Sequence, residues 1–298
     1  MRILSLLPSA TEIACLLGLR EQLVGITHEC DYPPGIEREK AVVIESCLGA
    51  EGKTLPQGEI DRRIRETLAR GEGVYRFKPG LLEALRPELV LTQGLCDVCA
   101  VPREHVLHSV QAIRPAPEVL SLDPTCLAEI LDDLRRVGAA AGVGAEAERI
   151  AAALQARIDR VAARTNVLPE ASRPRVACLE WLDPIFYAGH WVPEQVALAG
   201  GVDVLGKAGE VSRRIEWDAV LEARPDVIFV MPCGYDEAKA RGELGLLESR
   251  PGWRELPAVR AGRVHVLDAN AHFSRPGPRV VEGLEVMARI LHPKLMPD

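Results

Sequence analysis

The sequence lacks the short motifs that mark the common enzyme classes. Its 298 residues contain no Gly-x-Ser-x-Gly turn, no His-Glu-x-x-His, no phosphate-binding glycine loop and no Gly-x-Gly-x-x-Gly dinucleotide turn. Carboxylates are plentiful, but no pair has a spacing that singles out a general acid and base. We therefore predict that the chain is not an enzyme and needs no catalytic cofactor.

A net positive charge and long apolar runs are also missing. The net charge is −7, which argues against nucleic acid or an anionic membrane surface as the main partner. No run approaches the roughly 18 to 20 apolar residues that cross a bilayer. The opening residues 1–12 show neither a long apolar core nor a cleavage site. We expect a cytoplasmic chain, or a periplasmic or extracellular one if a leader was removed.

The eight cysteines are scattered, which fits free thiols in a reducing compartment. Cys96 and Cys99 form a single C-x-x-C, whereas a four-thiolate zinc site needs a second pair. Cys30 or Cys233 could complete a site only if the fold brings them close. Three interpretations stay open: reduced thiols, a metal or iron–sulfur site, and a redox pair. A thiol- or metal-dependent enzyme using Cys96 and Cys99 is the alternative of another functional class.

The first residues predict a strand–helix–strand unit. A short apolar run from Ile3 to Leu7 is followed by Ser9 and Glu12, the spacing of a capping box at a helix start. Gly18 is a natural helix stop, and a second strand follows over residues 24–26. Strand, helix and strand in this order indicate parallel pairing.

Two stretches of the chain resemble each other. Residues 82–91 (LEALRPELVL) and 221–230 (LEARPDVIFV) both read as a helix end, an Arg-Pro turn and a β-rich run. A second strand follows each, at 119–123 and 264–268. The pattern predicts two related α/β lobes with Rossmann-like parallel sheets. The alternative is that Arg-Pro before a strand is only a common helix-to-strand turn.

A long helical stretch separates the two halves. Ile150, Leu154, Ile158 and Val161 recur at three- and four-residue steps, so residues 146–164 should form a helix with one apolar face. We therefore predict an N-terminal α/β lobe (1–125), linking helices (126–168) and a C-terminal α/β lobe (169–298). The fold class is α/β, with the two lobes joined by a long, rigid backbone helix.

The predicted loops at the carboxyl ends of the strands are rich in aromatic residues. Ligands of open parallel sheets bind at these ends. The chain has only four each of Trp, Tyr and Phe. Nine of these twelve fall in the predicted loops: Tyr32, Tyr75, Phe77, Trp181, Phe186, Tyr187, Trp191, Tyr235 and Phe273. Rings at such positions favour a large flat ligand, while the alternative is that some of them close the sheet ends as a minor core.

Several segments together resemble a known family. They are Ser5-Leu6-Leu7-Pro8-Ser9-Ala10-Thr11-Glu12, Asp31-Tyr32-Pro33-Pro34, Leu85-Arg86-Pro87-Glu88-Leu89-Val90, Pro184-Ile185-Phe186-Tyr187-Ala188-Gly189 and Ser274-Arg275-Pro276-Gly277-Pro278-Arg279. In this order they are similar to the cobalamin-binding components of ABC importers. These belong to the helical-backbone periplasmic binding proteins, which carry cobalamin, haem or iron chelates. The resemblance covers nearly the whole chain.

The resemblance implies a corrinoid held in a cleft between the lobes, with little hinge closure. Tyr32 and Phe186 match positions that touch corrinoid in the family, whereas Gln93 and Arg213 stand where the family has tryptophan. The ligand-binding residues expected from ring content and resemblance are Tyr32, Tyr75, Phe77, Gln93, Trp181, Phe186, Tyr187, Trp191, Arg213, His272 and Phe273.

Histidines in the same loops offer a possible axial ligand for cobalt or haem iron. His272 is the first candidate, ahead of His28 and His190, and the alternative is a histidine that only makes a hydrogen bond. We expect a small tetrapyrrole as ligand, cobalamin first and haem or a ferric chelate as alternatives. A cytoplasmic carrier, store or sensor would hand it to a corrinoid-using acceptor protein, and an importer component would hand it to an ABC permease.

Overall fold

The structure is a computed structural model that describes residues 1–49, 52, 54–94, 103–111 and 113–296. It contains two compact units. The N-terminal unit comprises Met1–Pro124 and Leu131–Ala151, and the C-terminal unit comprises Thr125–Ile130 and Ala152–Asp298. Each unit is an α/β structure with its own sheet, as predicted. None of the described helices is both long and apolar enough to cross a membrane.

The N-terminal unit is built on five parallel strands in the order β3-β2-β1-β6-β7, and a separate antiparallel pair, β4–β5, lies outside that sheet. Its strands are β1 (Ile3–Ser5), β2 (Leu23–Ile26), β3 (Ala41–Val42), β4 (Ile44–Ser46), β5 (Tyr75–Phe77), β6 (Leu89–Thr92) and β7 (Glu118–Ser121). Its first helices are α1 (Pro8–Leu16), α2 (Ile36–Glu39), α3 (Gln57–Ala69), α4 (Leu81–Leu85) and α5 (Arg103–Val110).

The start of α1 differs from the prediction. The helix begins at Pro8, and Leu7 occupies the N-cap without a side-chain cap bond, so the Ser9–Glu12 capping box is wrong. Proline is well suited to a first helical position because it has no N–H to leave unpaired. Ser9 therefore lies inside the helix. The predicted stop at Gly18 is confirmed by its left-handed backbone, at φ 75°.

Two helices connect the sheets along the chain. They are α6 (Leu127–Ala140) and α7 (Gly144–Thr165). The predicted apolar face of α7 is confirmed, since Ile150, Leu154, Ile158 and Val161 are 5–7% exposed. Within the segment predicted as linking helices, 126–168, residues 131–151 lie in the N-terminal unit and the others in the C-terminal unit. The predicted boundaries at 125 and 169 stay a prediction.

The sheet of the C-terminal unit is mixed, which corrects the expectation of two parallel sheets. Its order is β11-β9-β8-β12-β13, with β10 pairing β8, and β9 runs antiparallel to both of its neighbours. The strands are β8 (Arg175–Leu182), β9 (Ile185–Tyr187), β10 (Val202–Asp203), β11 (Arg213–Arg214), β12 (Val227–Val230) and β13 (Val264–Val266). The helices are α8 (Val192–Leu198), α9 (Trp217–Ala223), α10 (Glu237–Gly242), α11 (Gly245–Glu248), α12 (Pro257–Arg260), α13 (Ala269–His272) and α14 (Val280–Leu291).

The two stretches with similar sequences, 82–91 and 221–230, also have similar structures. Arg86 ends α4 and Arg224 ends α9, and both adopt φ 43° with nearly equal ψ. The strands that follow, β6 and β12, each lie parallel to the next strand, β7 or β13. The path β2-β1-β6-β7 in one sheet therefore corresponds to β10-β8-β12-β13 in the other. The two sheets therefore share this strand order as well as the turn that precedes β6 and β12.

The contact between α6 and α7 gives a stability prediction. A methyl group added at Gly138 would lie well inside contact distance of the Ala147 Cβ, which is fixed to the helix backbone. Gly138→Ala should therefore lower the free energy of unfolding by about 1–3 kcal/mol, although alanine is the better helix former. Urea unfolding measures the change.

A double variant that exchanges the glycine and the alanine provides the control. Gly138→Ala combined with Ala147→Gly restores the room, so most of the lost stability should return. Gly144→Ala, which meets no atom within 4 Å, should change stability little. An unaltered Gly138→Ala protein would show that the close approach does not constrain these helices.

Candidate ligand-binding site

A buried polar network anchors the loop that follows β2. The Thr11 hydroxyl donates to Ser5 Oγ at 2.8 Å and lies 3.1 Å from Cys30 Sγ. Thr27 adds two contacts, since its Oγ1 accepts from the backbone N–H of Glu29 and lies 3.4 Å from the same sulfur. Cys30 is 1% exposed. The network holds residues 27–30 to the ends of β1 and β2.

Tyr32 lies just beyond this anchored segment and remains 39% exposed. His28, in the same loop, has contacts with other side chains of the protein. Its Nε2 is 3.0 Å from Glu29 Oε1, and its ring lies 5.6 Å from the Tyr75 ring, centroid to centroid. The structure thus brings the predicted residues His28 and Tyr75 together, whereas Tyr32 remains exposed to solvent.

Tyr75 and Phe77 are on a strand, which corrects their predicted placement in a loop. They occupy β5, where Tyr75 pairs with Ser46 and Phe77 with Ile44 of β4. Both rings are partly buried against the apolar core of the N-terminal unit. Their main contacts are therefore with the protein itself.

Gln93 directly follows β6 and is 6% exposed. The next residue, Gly94, donates its backbone N–H to the carboxylate of Asp123, which also accepts from Ser121 Oγ at 2.6 Å. This contact ties the ends of β6 and β7 together. Cys96 and Cys99 lie outside the described residues.

In the C-terminal unit, a hairpin replaces the predicted loop over residues 180–191. Trp181 of β8 pairs with Phe186 of β9, and Phe186 also pairs with Arg214 of β11. Directly paired side chains share a face of the sheet, so two rings and a guanidinium lie side by side. The Trp181 indole donates to Asp183 O at 3.0 Å and packs edge-on against Tyr235. Phe186 is only partly buried.

Tyr187 and Arg213 occupy the opposite face of the same strands. Tyr187 is partly buried, and Arg213 is exposed. A turn over residues 203–206 lies against the end of β9, because a Cβ at Gly206 would collide with the Ala188 carbonyl oxygen. Asp203 holds this turn by accepting from the N–H groups of Leu205 and Gly206, at 2.9 and 2.8 Å.

Three rings predicted to face a ligand are instead interior residues. Trp191, Tyr235 and Phe273 are only 2–4% exposed. The Trp191 indole N–H donates to Phe273 O at 3.0 Å, and Tyr235 OH lies 3.3 Å from Glu243 Oε1. The indole N–H of Trp191 and the OH of Tyr235 find partners inside the unit, which offsets the cost of burying these two rings. The burial of all three rings favours the alternative in which they close the sheet end as a minor core.

The candidate axial histidines are all partly buried. His272 ends α13, its side chain is 24% exposed, and its Nδ1 lies 3.9 Å from Glu282 Oε2. His190 adopts φ 53°, and burial lowers its pKa. No cluster of three or more His, Cys, Asp or Glu side chains able to hold a metal occurs in the described ranges.

Sequence reasoning missed two elements of this site. Asp203 stands three residues before Gly206, the spacing of a side chain that accepts from backbone N–H groups in a turn, and this local signal could have revealed it. Arg214 has no local sequence signal that marks it. Only the pairing of β9 with β11 places Arg214 beside Phe186.

Both α/β units carry exposed or half-buried rings near the ends of their strands. Residues 76–271, about two thirds of the chain, match the family described as "Periplasmic binding protein". The chain belongs to this family, which confirms the resemblance found in the sequence.

Individual relatives extend over nearly the whole chain. An uncharacterized ABC transporter substrate-binding lipoprotein of Bacillus subtilis is 22% identical, covering 98% of this chain and 80% of the relative. A vitamin B12-binding protein of Vibrio cholerae is 25% identical, covering 97% and 88%. The apo structure of a periplasmic heme-binding protein from Roseiflexus sp. RS-1 is 25% identical, with a TM-score of 0.72 and coverage of 99% and 98%.

The Asp203 turn gives a pH prediction. Burial raises the pKa of Asp203 from 3.8 to about 6, although the two backbone N–H groups act in the opposite direction. The folded carboxyl therefore binds more protons than the unfolded one between these values. Its contribution to stability is complete below pH 3.8 and is lost as the pH rises through 6. The complete loss should be on the order of 3 kcal/mol.

Asp203→Asn isolates this effect, because the amide oxygen can still accept from Leu205 and Gly206 but does not titrate. Chemical unfolding of both proteins between pH 4 and pH 7 should give curves that diverge, with the wild type losing stability relative to the variant. The lowered pKa of His190 has the opposite sign and cancels in the difference. Parallel curves would contradict the assignment.

Proposed function

We propose that this protein reversibly binds a tetrapyrrole, cobalamin first, as the substrate-binding component of an ABC importer. The observation that carries the proposal is the pairing of an exposed ring with an anchored loop. Tyr32 is 39% exposed directly after a loop segment held by Thr11, Thr27 and Cys30. A ring presented by a fixed loop offers a ligand flat contact area with little ordering entropy to lose.

The C-terminal unit supports the same proposal with a second partly exposed ring. Phe186 lies on a short strand between Trp181 and Arg214, so both of its neighbours restrict its position. Rings on fixed strands bind flat apolar faces, and burying one ring stabilises a complex by about 1.5–3 kcal/mol. Trp191 and Phe273 have no part in the proposed site, because both are buried.

Cobalamin is favoured over haem by the histidines. Haem iron commonly takes an axial ligand from the protein, whereas cobalamin carries its own lower base. His28 and His272 keep only 22% and 24% side-chain exposure, and His190 is partly buried. Contacts of rings with the ligand's faces and edges are then the main source of binding.

Haem is the second candidate, and one observation favours it. Tyr32 is the most exposed aromatic ring in the described loops, and a tyrosine oxygen can serve as an axial ligand for haem iron. An anionic ferric chelate would instead seek basic side chains such as the exposed Arg213.

A role in import places the protein outside the cytoplasm, with an ABC permease as the receiving partner. The cytoplasmic location expected from the first residues is not supported, since the relatives are described as periplasmic or as a lipoprotein. The second location considered in the sequence analysis therefore takes its place in the proposal.

Visible spectroscopy tests the ligand. The purified protein is incubated with cobalamin, haem or buffer and then desalted. A retained corrinoid band is expected, and a retained haem band would move the second candidate ahead. Retention of neither pigment would refute tetrapyrrole binding.

Two substitutions at Tyr32 separate ring contact from metal coordination. Tyr32→Ala should weaken cobalamin binding by roughly tenfold or more, because it removes a contact ring. Tyr32→Phe keeps the ring and should bind cobalamin nearly as well as the wild type. Fluorescence quenching or calorimetry measures both affinities.

The same two variants test whether Tyr32 is a ligand of haem iron. If Tyr32 ligates iron, Tyr32→Phe loses the charge-transfer band of a phenolate complex and binds haem weakly. Equal affinity of wild type and Tyr32→Ala for both pigments would remove Tyr32 from the site.

A further inference from the structure

A basic groove lies on the C-terminal unit, between α7 and α14. It is open to solvent and is lined by Arg160, Val161, Arg164, Glu285, Arg289 and Met296. Val161 and Met296 form an apolar base, at 5% and 7% exposure. The three arginines are exposed. The groove therefore has an apolar floor and a rim of guanidinium groups.

The one carboxylate in the groove is already engaged. Glu285 accepts two hydrogen bonds from Arg157, at 2.9 and 2.8 Å, in the two-pronged geometry that suits arginine and carboxylate. These hydrogen bonds lower the pKa of Glu285, and the charges of Arg157, Arg289 and Arg160 add to the effect. The carboxylate is therefore ionised at neutral pH and neutralised chiefly by Arg157.

The remaining guanidinium groups have little to bind. Within the described residues, Arg160 and Arg289 make no hydrogen bond or ion pair. Arg164 donates only to the sulfur of Met296, at 3.8 Å, and a thioether is a weak acceptor. Three like charges around one groove repel each other, and an anion with several oxygens would remove this repulsion while accepting from more than one arginine.

We propose that the basic groove binds a phosphate group, carried either by an anionic lipid headgroup or by free phosphate. Planar guanidinium groups match the oxygens of phosphate better than ammonium groups do. This inference is independent of the tetrapyrrole proposal, because none of the groove residues belongs to the candidate ligand-binding site.

The net negative charge of the chain opposes binding to an anionic surface. A chain of net charge −7 is repelled as a whole by an anionic surface, so attraction requires a local concentration of positive charge. Binding to such a surface would therefore identify a specific patch.

The test uses the full chain and a charge-matched control. Arg160→Gln with Arg289→Gln removes two groove charges, while Arg254→Gln with Arg260→Gln removes two exposed charges of the same unit that do not line the groove. All four side chains are exposed, so circular dichroism should show unchanged folding. Each protein is mixed at low salt with phosphatidylcholine vesicles, with or without phosphatidylglycerol, and sedimented, and inorganic phosphate is titrated separately by calorimetry.

Wild type and control should bind phosphatidylglycerol vesicles or inorganic phosphate, and the groove variant should bind at least about tenfold more weakly. Vesicle binding identifies a lipid headgroup as the source, and phosphate binding without vesicle binding identifies the free anion. Either supports the site. Absence of both, or an equal loss in the control, would overturn the proposal without affecting the tetrapyrrole test.

Discussion

The structure of each unit depends on a pair of parallel strands buried on both faces. In the C-terminal unit β8 and β12 pair residue by residue, and Val227–Val230 are 0% exposed. The equivalent pair in the N-terminal unit is β1 and β6. Because no water reaches these strands, every backbone N–H and C=O must find a partner in the sheet, which fixes the register. The strand ends, and the loops that leave them, are fixed as a consequence.

Short side chains hold the strand ends by binding backbone groups there. Asp123 accepts from Gly94, Asp203 from Leu205 and Gly206, and Thr27 from Glu29. Each contact joins two points on one loop or two neighbouring strand ends, so it restricts the described residues at that end. Binding to such a surface loses little conformational entropy, which allows a limited number of exposed rings to give useful affinity.

The α/β fold could be predicted from the sequence because its signals are local. The Arg-Pro turns after α4 and α9 and the apolar steps of α7 involve residues a few positions apart, and the structure confirms both. The exposure of the rings could not be predicted in this way. Trp191 is buried because its indole N–H reaches a carbonyl oxygen 82 residues away, and such a partner leaves no local pattern. The position of Arg214 beside Phe186 likewise depends on the pairing of β9 with β11, more than twenty residues later in the chain.

The two surfaces described for this protein rely on different forces. Tyr32 and Phe186 offer apolar ring surface. The contribution of such surface to binding varies little with ionic strength. The arginines of the basic groove present charge that is exposed to solvent, and salt screens such charges within about 10 Å at 0.1 M. Among the described residues, Arg160 and Arg289 have no hydrogen-bonded carboxylate, although the chain contains 43 carboxylate side chains. Folding alone does not require this arrangement, because Arg157 and Glu285 show that the same two helices can hold a complete ion pair. The proposed phosphate group would supply the hydrogen-bond acceptors that the groove itself does not provide.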